Sequence, residues 1–170
     1  SNDWYDRKTR KSVYCVNDTT VDPVGTTSIS GKMSPRRLLS TTITDELRFA
    51  TNYRSKVIAI ALKDRGAILP GGHLSDGSYW YDYMTGRMIT SEFYMNELPQ
   101  YVKDFNQMGY PANAMKTVWN TMYPIETYTA SGPDDSPYEM IFRGKTTPTF
   151  PYNFEQITDS VGPFSYFTTT

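Results

Sequence analysis

The chain has 170 residues, enough for one domain or a large part of one. Seventeen Lys and Arg against eighteen Asp and Glu leave a net charge of −1, which argues against a nucleic-acid polymer bound by phosphate neutralisation and against a polybasic membrane anchor. Only 38% of residues are hydrophobic, yet 15% are aromatic, so a core built from rings with Tyr hydroxyls at its margins is expected. A single cysteine, Cys15, excludes an internal disulfide, and a single histidine, His73, excludes a His-rich metal site within the chain. The longest apolar run, Val57 to Leu62, falls well short of the roughly 20 residues that span a bilayer. The sequence opens on Ser1 rather than Met and stops at Thr170, so a piece of a longer protein is expected.

Trp4 to Val16 reads as a hairpin around the polar turn Asp6 to Lys11, with an alternating, β-prone return half. Asn17 to Lys32 reads as loop. A helix is predicted next, with Ser34 as its cap, Pro35 in first position, an apolar stripe of Leu39, Ile43, Leu47 and Ala50, and an end at Asn52. The segment 56–62 is a continuous apolar run with β-branched residues, typical of a parallel-sheet strand buried on both faces. Helix followed by buried strand is a unit of an α/β fold. A second hairpin is predicted from Tyr79 to Thr90 with its turn over Thr85 and Gly86. A helix over Leu98 to Gln107 should carry Leu98, Val102 and Phe105 on one face and stop at Gly109. Asn113 to Trp119 fits a short helix, and beyond Thr121 the chain is too rich in Pro for regular elements, although its rings suggest an ordered covering segment.

Lys63 and Arg65 are the leading candidates for chemistry. They follow the buried strand, and in open α/β sheets ligands bind at the carboxyl ends of strands. If the strand runs on through them, their i, i+2 spacing puts both cations on one face, where a Lys point charge beside an Arg fork suits a phosphate or sulfate. The plainer alternative is two surface charges neutralised by the intervening Asp64. His73, after Gly71 and Gly72, could serve as a general base or metal ligand, but a lone loop histidine is more often structural or solvated. Cys15 reads as a small buried hydrophobe, Asp134 and Asp135 read as turn residues, and Tyr79, Trp80 and Tyr81 read as core before they read as a stacking platform.

Three stretches carry a resemblance: Lys32 to Leu39, Thr41 to Leu47, and Ala61-Leu62-Lys63-Asp64-Arg65-Gly66 through His73. With Asn2 to Arg7, Ser136 to Glu139 and Lys145 to Tyr152, they resemble the alkaline phosphatase superfamily. Within it they are most similar to the bacterial phosphate-irrepressible alkaline phosphatases, in the branch that also holds type I phosphodiesterases and nucleotide pyrophosphatases.

The resemblance implies an α/β fold, with part of the core and the Lys-x-Arg site in residues 1–75 and an inserted covering segment in 76–170. It implies a zinc-dependent phosphomonoesterase with two Zn ions and a threonine nucleophile that lies upstream of this chain. Neither a catalytic residue nor a metal ligand is expected here. Lys63 and Arg65 match the family's contacts to the phosphoryl oxygens, and Asn2 matches its substrate-contacting asparagine. A phosphate monoester is the implied partner, a periplasmic or secreted location is implied, and self-association of the isolated piece stays open. Two alternatives also stay open: a phosphodiesterase or nucleotide pyrophosphatase of the same superfamily, and a non-enzymatic module that binds anions or carbohydrate.

Overall fold

The structure, a computed structural model, describes residues 2–142 and 144–157. The opening hairpin forms as its alternation predicts: β1 (Asp3–Asp6) pairs antiparallel with β2 (Lys11–Tyr14), and Asp3 lies opposite Tyr14. Asp6 holds the turn, its carboxylate accepting from the Lys8 N–H at 2.9 Å and the Thr9 hydroxyl at 2.8 Å. The following loop contributes one short strand, β3 (Pro23–Val24).

The helix expected with Ser34 as its cap starts eight residues later, with Thr42 as its cap. Ser34 is buried, its hydroxyl donating to Asp18 at 2.6 Å and its N–H to the Val16 carbonyl at 2.9 Å. Those bonds hold the chain in turns, and α1 (Ile43–Ala50) begins only after Thr42. Thr42 and Asp45 form a capping box, each side chain bonding the other's backbone N–H. The predicted apolar stripe therefore does not face the core: Leu39 is 98% exposed and Ile43 is 87% exposed.

Asp18 ties this loop together by accepting from Ser34, from the Thr20 hydroxyl at 2.6 Å and from the Thr20 N–H at 3.0 Å, with Arg36 3.5 Å away. Burial works to raise its pKa, but the hydrogen bonds from Ser34 and Thr20 and the charge of Arg36 prevail and bring it down to about 2. A depressed carboxylate pKa contributes stability that is present above the ordinary value near 4 and lost as pH falls through 2. The shift is worth on the order of 2 kcal/mol. Asp18→Asn is expected to lower stability at neutral pH and to flatten the loss between pH 4 and pH 2, as read by thermal melts across that range.

The apolar run becomes β4 (Ile58–Ala61), shorter than 56–62 and paired parallel with β5 (Gly77–Asp82) across α2 (Asp64–Gly71). β5 turns back into β6 (Arg87–Ser91), and the sheet order is β3-β6-β5-β4. β4, like β3, is an outer strand of this sheet among the described residues, and one of its faces is left open, so the expectation of burial on both faces fails. Ala59 and Ala61 pack on the core while Ile58 and Ile60 are 52% and 67% exposed. The sheet spans the division at residue 75, since β5 and β6 belong to it.

Side chains alternate across β5. Trp80 joins Val16, Ala67, Ile68 and Ile89 on the α2 side. Tyr79 joins Val24, Leu98 and Val102 on the side of α3 (Gln100–Gln107). The rings of Tyr79 and Trp80 are core, as read from the sequence. The expected short helix over 113–119 is displaced: α4 (Tyr110–Ala114) precedes it, and Val118–Trp119 forms β7, which pairs with β8 (Tyr152–Asn153).

The rest of the chain to α5 (Phe154–Ile157) is mostly irregular, as expected. It is gathered by rings: Trp119 lies edge-on to Phe150 at 5.1 Å and stacks with Phe154 at 6.3 Å. The expected covering segment runs to Thr170, and its residues 158–170 lie outside the described residues. Among the described residues no helix is long and apolar enough to cross a membrane.

Candidate functional site

The end of β4 delivers the two candidate cations differently from the expectation. The strand ends at Ala61, with one further backbone bond from the Tyr81 N–H to the Leu62 carbonyl at 3.3 Å. Lys63 is the extended residue that caps α2, and Arg65 lies in the first helical turn. A strand face therefore does not align them. The strand-to-helix turn does, and both line one open cavity of about 350 Å³ together with Tyr14, Met33, Trp80 and Tyr83.

Asp64 shares this rim, but its charge is engaged. Its Oδ1 accepts from the Tyr14 hydroxyl at 2.5 Å and from the Arg65 N–H at 2.6 Å. The Tyr14 hydroxyl in turn accepts from Arg65 Nη1 at 3.0 Å. Burial of the phenol and the bond to Asp64 push the Tyr14 pKa up to about 12, so it stays protonated. Among the described residues no hydrogen bond or ion pair holds the Lys63 ammonium, which is exposed at the rim. A flexible cation and a tethered guanidinium over one cavity can hold an anion with several oxygens.

Asn2 stands apart from the cavity lining. Its carbonyl accepts from the Cys15 N–H at 2.9 Å, which sets it at the end of the hairpin beside Tyr14, with its side chain exposed. His73 does not join the site. Its N–H donates to Asp45 Oδ1 at 2.9 Å and its Nδ1 lies 3.5 Å from Oδ2, so it closes the loop after α2 in a structural role. Cys15 packs against the core, where burial raises its pKa, and Asp134 accepts from the Phe150 N–H at 3.1 Å, a bond that ties together two segments sixteen residues apart. Among the described residues no three His, Cys, Asp or Glu side chains gather as ligands.

Tyr14 was not legible as a site residue: it reads as one ring of a β-prone strand, fifty positions from Asp64.

The fold and rim define an α/β segment that offers paired cations at a strand-to-helix turn. No protein-family profile matches the chain. The chain is 55% identical over 155 residues to alkaline phosphatase PhoV of Synechococcus elongatus, covering 91% of this chain and 28% of the relative. It is 53% identical over 152 residues to alkaline phosphatase PafA of Elizabethkingia meningoseptica, covering 89% and 28%. It is also 49% identical over 150 residues to a protein of Myroides odoratus named a calcium-transporting ATPase, covering 88% and 27%. The crystal structure of wild-type PafA matches with a TM-score of 0.85 and 52% identity, over 90% of this chain and 30% of that one. This chain belongs with the alkaline phosphatases, as an alkaline-phosphatase-like α/β segment that spans a little over a quarter of the length of these relatives.

Proposed function

We propose that this chain is the part of a zinc-dependent phosphomonoesterase that contacts the phosphoryl oxygens of the substrate, through Lys63 and Arg65 with Asn2 nearby. The observation that carries the reading is the convergence of Lys63 and Arg65 on one cavity at the strand-to-helix turn, in a chain so similar to alkaline phosphatases. A second PafA structure supports it: that variant has a threonine, an asparagine, a lysine and an arginine changed together, with one position between the lysine and the arginine. Lys63 and Arg65 have the same spacing.

The chemistry follows from charge. A phosphate monoester carries two negative charges, and in phosphoryl transfer charge spreads over the non-bridging oxygens of the transferring group. Lys63 supplies a mobile point charge, and Arg65 supplies a planar fork whose Nη1 is already anchored on Tyr14. Both attract the dianion and stabilise the transition state without moving a proton themselves. A diester, with one charge fewer, gains less. The diester reading would use Tyr79, Trp80 and Tyr81 to stack a base; all three are buried, although Trp80 and Tyr81 also line the cavity.

The nucleophile and the metals belong to other parts of the whole protein in this reading. A periplasmic or secreted location goes with it, as does a division into a part in 1–75 that carries the Lys-x-Arg site and a part in 76–170 whose β5 and β6 complete the sheet before the covering segment begins. The bare β4 edge, with Ile58 and Ile60 exposed, makes the isolated chain a candidate for self-association.

The test compares the isolated 170 residues with the whole protein. A catalytic zinc needs about three protein ligands, and this chain has one His and one Cys. The isolated chain is therefore expected to hold no stoichiometric zinc by metal analysis and to leave p-nitrophenyl phosphate unhydrolysed, while the whole protein with zinc turns it over. Turnover by the isolated chain would mean a complete site lies within it. A whole protein that cleaves only a diester, or that binds anions without cleaving either, would favour one of the two alternatives.

A further inference from the structure

We propose that Tyr14 is a positioning residue: its hydroxyl fixes the Arg65 guanidinium over the cavity and takes the place of a direct ion pair between Arg65 and Asp64. This inference rests on the reading of Lys63 and Arg65 as a phosphoryl-oxygen site.

A carboxylate between two cations poses a physical problem. Asp64 lines the same cavity as Lys63 and Arg65, and a direct ion pair with either would cancel charge that an anion needs. The structure shows Tyr14 placed between the two groups. Its single hydroxyl proton goes to Asp64 Oδ1 at 2.5 Å, and its oxygen accepts from Arg65 Nη1 at 3.0 Å. The same carboxylate oxygen also takes the Arg65 backbone N–H at 2.6 Å. The guanidinium is thus anchored by a neutral oxygen rather than by a carboxylate. Among the described residues one of its five N–H groups is used and its plane is oriented, while Asp64 acts on it through space rather than by a direct ion pair.

Donating to a carboxylate also makes the phenol oxygen a better acceptor, because linked hydrogen bonds polarise one another. Burial and the bond to Asp64 raise the Tyr14 pKa to about 12, so the phenol remains a neutral donor at any working pH of a phosphatase. The arrangement depends on the opening hairpin, since Tyr14 ends β2 and Asp64 opens α2. The hairpin would then serve the site as a brace and not only as a cover.

Tyr14 also packs its ring against the core that holds Val16 and Trp80, so a structural role must be separated from positioning. Tyr14→Phe keeps the ring and removes only the hydroxyl, and a melting temperature verifies that the fold is kept. In the whole protein, Tyr14→Phe is expected to lower kcat/KM for p-nitrophenyl phosphate about tenfold, mostly in kcat, the scale of a misaligned contact.

The deciding measurement is a pair of double-mutant cycles. With Arg65→Ala, adding Tyr14→Phe should cost less than about twofold, because the group it positions is gone. With Lys63→Ala, it should still cost about tenfold. Equal costs in both backgrounds, or a silent Tyr14→Phe beside a strongly impaired Arg65→Ala, would overturn positioning and leave the anion site standing. An Arg65→Ala protein of unchanged activity would overturn the anion-site reading and the proposal together.

Discussion

Lys63→Ala or Arg65→Ala, each made in the whole protein, is expected to slow monoester hydrolysis by about 10²–10³-fold and diester hydrolysis by much less. The scale is that of removing one preorganised donor from developing negative charge, roughly 2.7–4 kcal/mol. Neither change should disturb the fold. Lys63 is exposed, and the Arg65 side chain is held by one hydrogen bond among the described residues, from Nη1 to Tyr14. The loss for Arg65 should not be recovered by Arg65→Lys, because a point charge cannot both reach the Tyr14 oxygen and present a fork to the substrate. Steady-state kinetics on p-nitrophenyl phosphate and bis-p-nitrophenyl phosphate check the result. Equal losses on both substrates would remove the monoester-specific role, and no loss on either would remove the site.

The second large effect is on stability. Asp45→Ala is expected to destabilise the chain by about 3–4 kcal/mol, read as a lowered denaturation midpoint in urea by circular dichroism. Asp45 is 1% exposed and serves two segments at once. It accepts from the Thr42 N–H at 3.0 Å at the start of α1, and from the N–H groups of His73 and Leu74 at 2.9 Å each after α2. Alanine would strand these three donors in a buried place, and each unsatisfied group costs about 1–3 kcal/mol before relaxation.

Burial opposes ionisation of Asp45, but the donors outweigh it and hold its pKa below the usual range. Its contribution is therefore present above the ordinary carboxylate value and fades as pH falls through the lowered one. Asp45→Asn, which keeps one acceptor oxygen, should cost less than alanine. Gly72 guards the same contact. It has φ +71°, and an added Cβ would stand 2.5 Å from Asp45 Oδ2 and from the Thr42 hydroxyl oxygen. A stability equal to that of the unchanged chain in Asp45→Ala would show that water or a shifted loop replaces the carboxylate.

Local pattern alone determined the parts of this protein whose signals lie within a few residues. Both hairpins, the helix bearing Val102, and the parallel nature of the strand after Val57 follow from periodicity and turn residues, although Leu98 falls just before that helix rather than on it. Those preferences are satisfied inside one element or across one tight turn. The Lys-x-Arg pair and its resemblance to the alkaline phosphatases were equally legible.

Tertiary contacts decided the rest. Ser34 and Thr42 are both competent helix caps, and the Ser34 oxygen does accept from the Arg36 N–H at 3.2 Å, but with its hydroxyl and N–H tied to Asp18 and Val16 the chain makes only a turn there and the helix starts after Thr42. Ile58 and Ile60 read as buried, but they share the face of β4 that is left open while Ala59 and Ala61 pack on the core, and no local feature tells a covered face from an open one. The spacing of Lys63 and Arg65 suggested one strand face, whereas the chain turns into α2 between Leu62 and Asp64. The bond from Tyr14 to Asp64 joins residues fifty positions apart, a separation that periodicity cannot carry. Such contacts form only when two elements pack, so their energies depend on which elements meet and not on the pattern within either one.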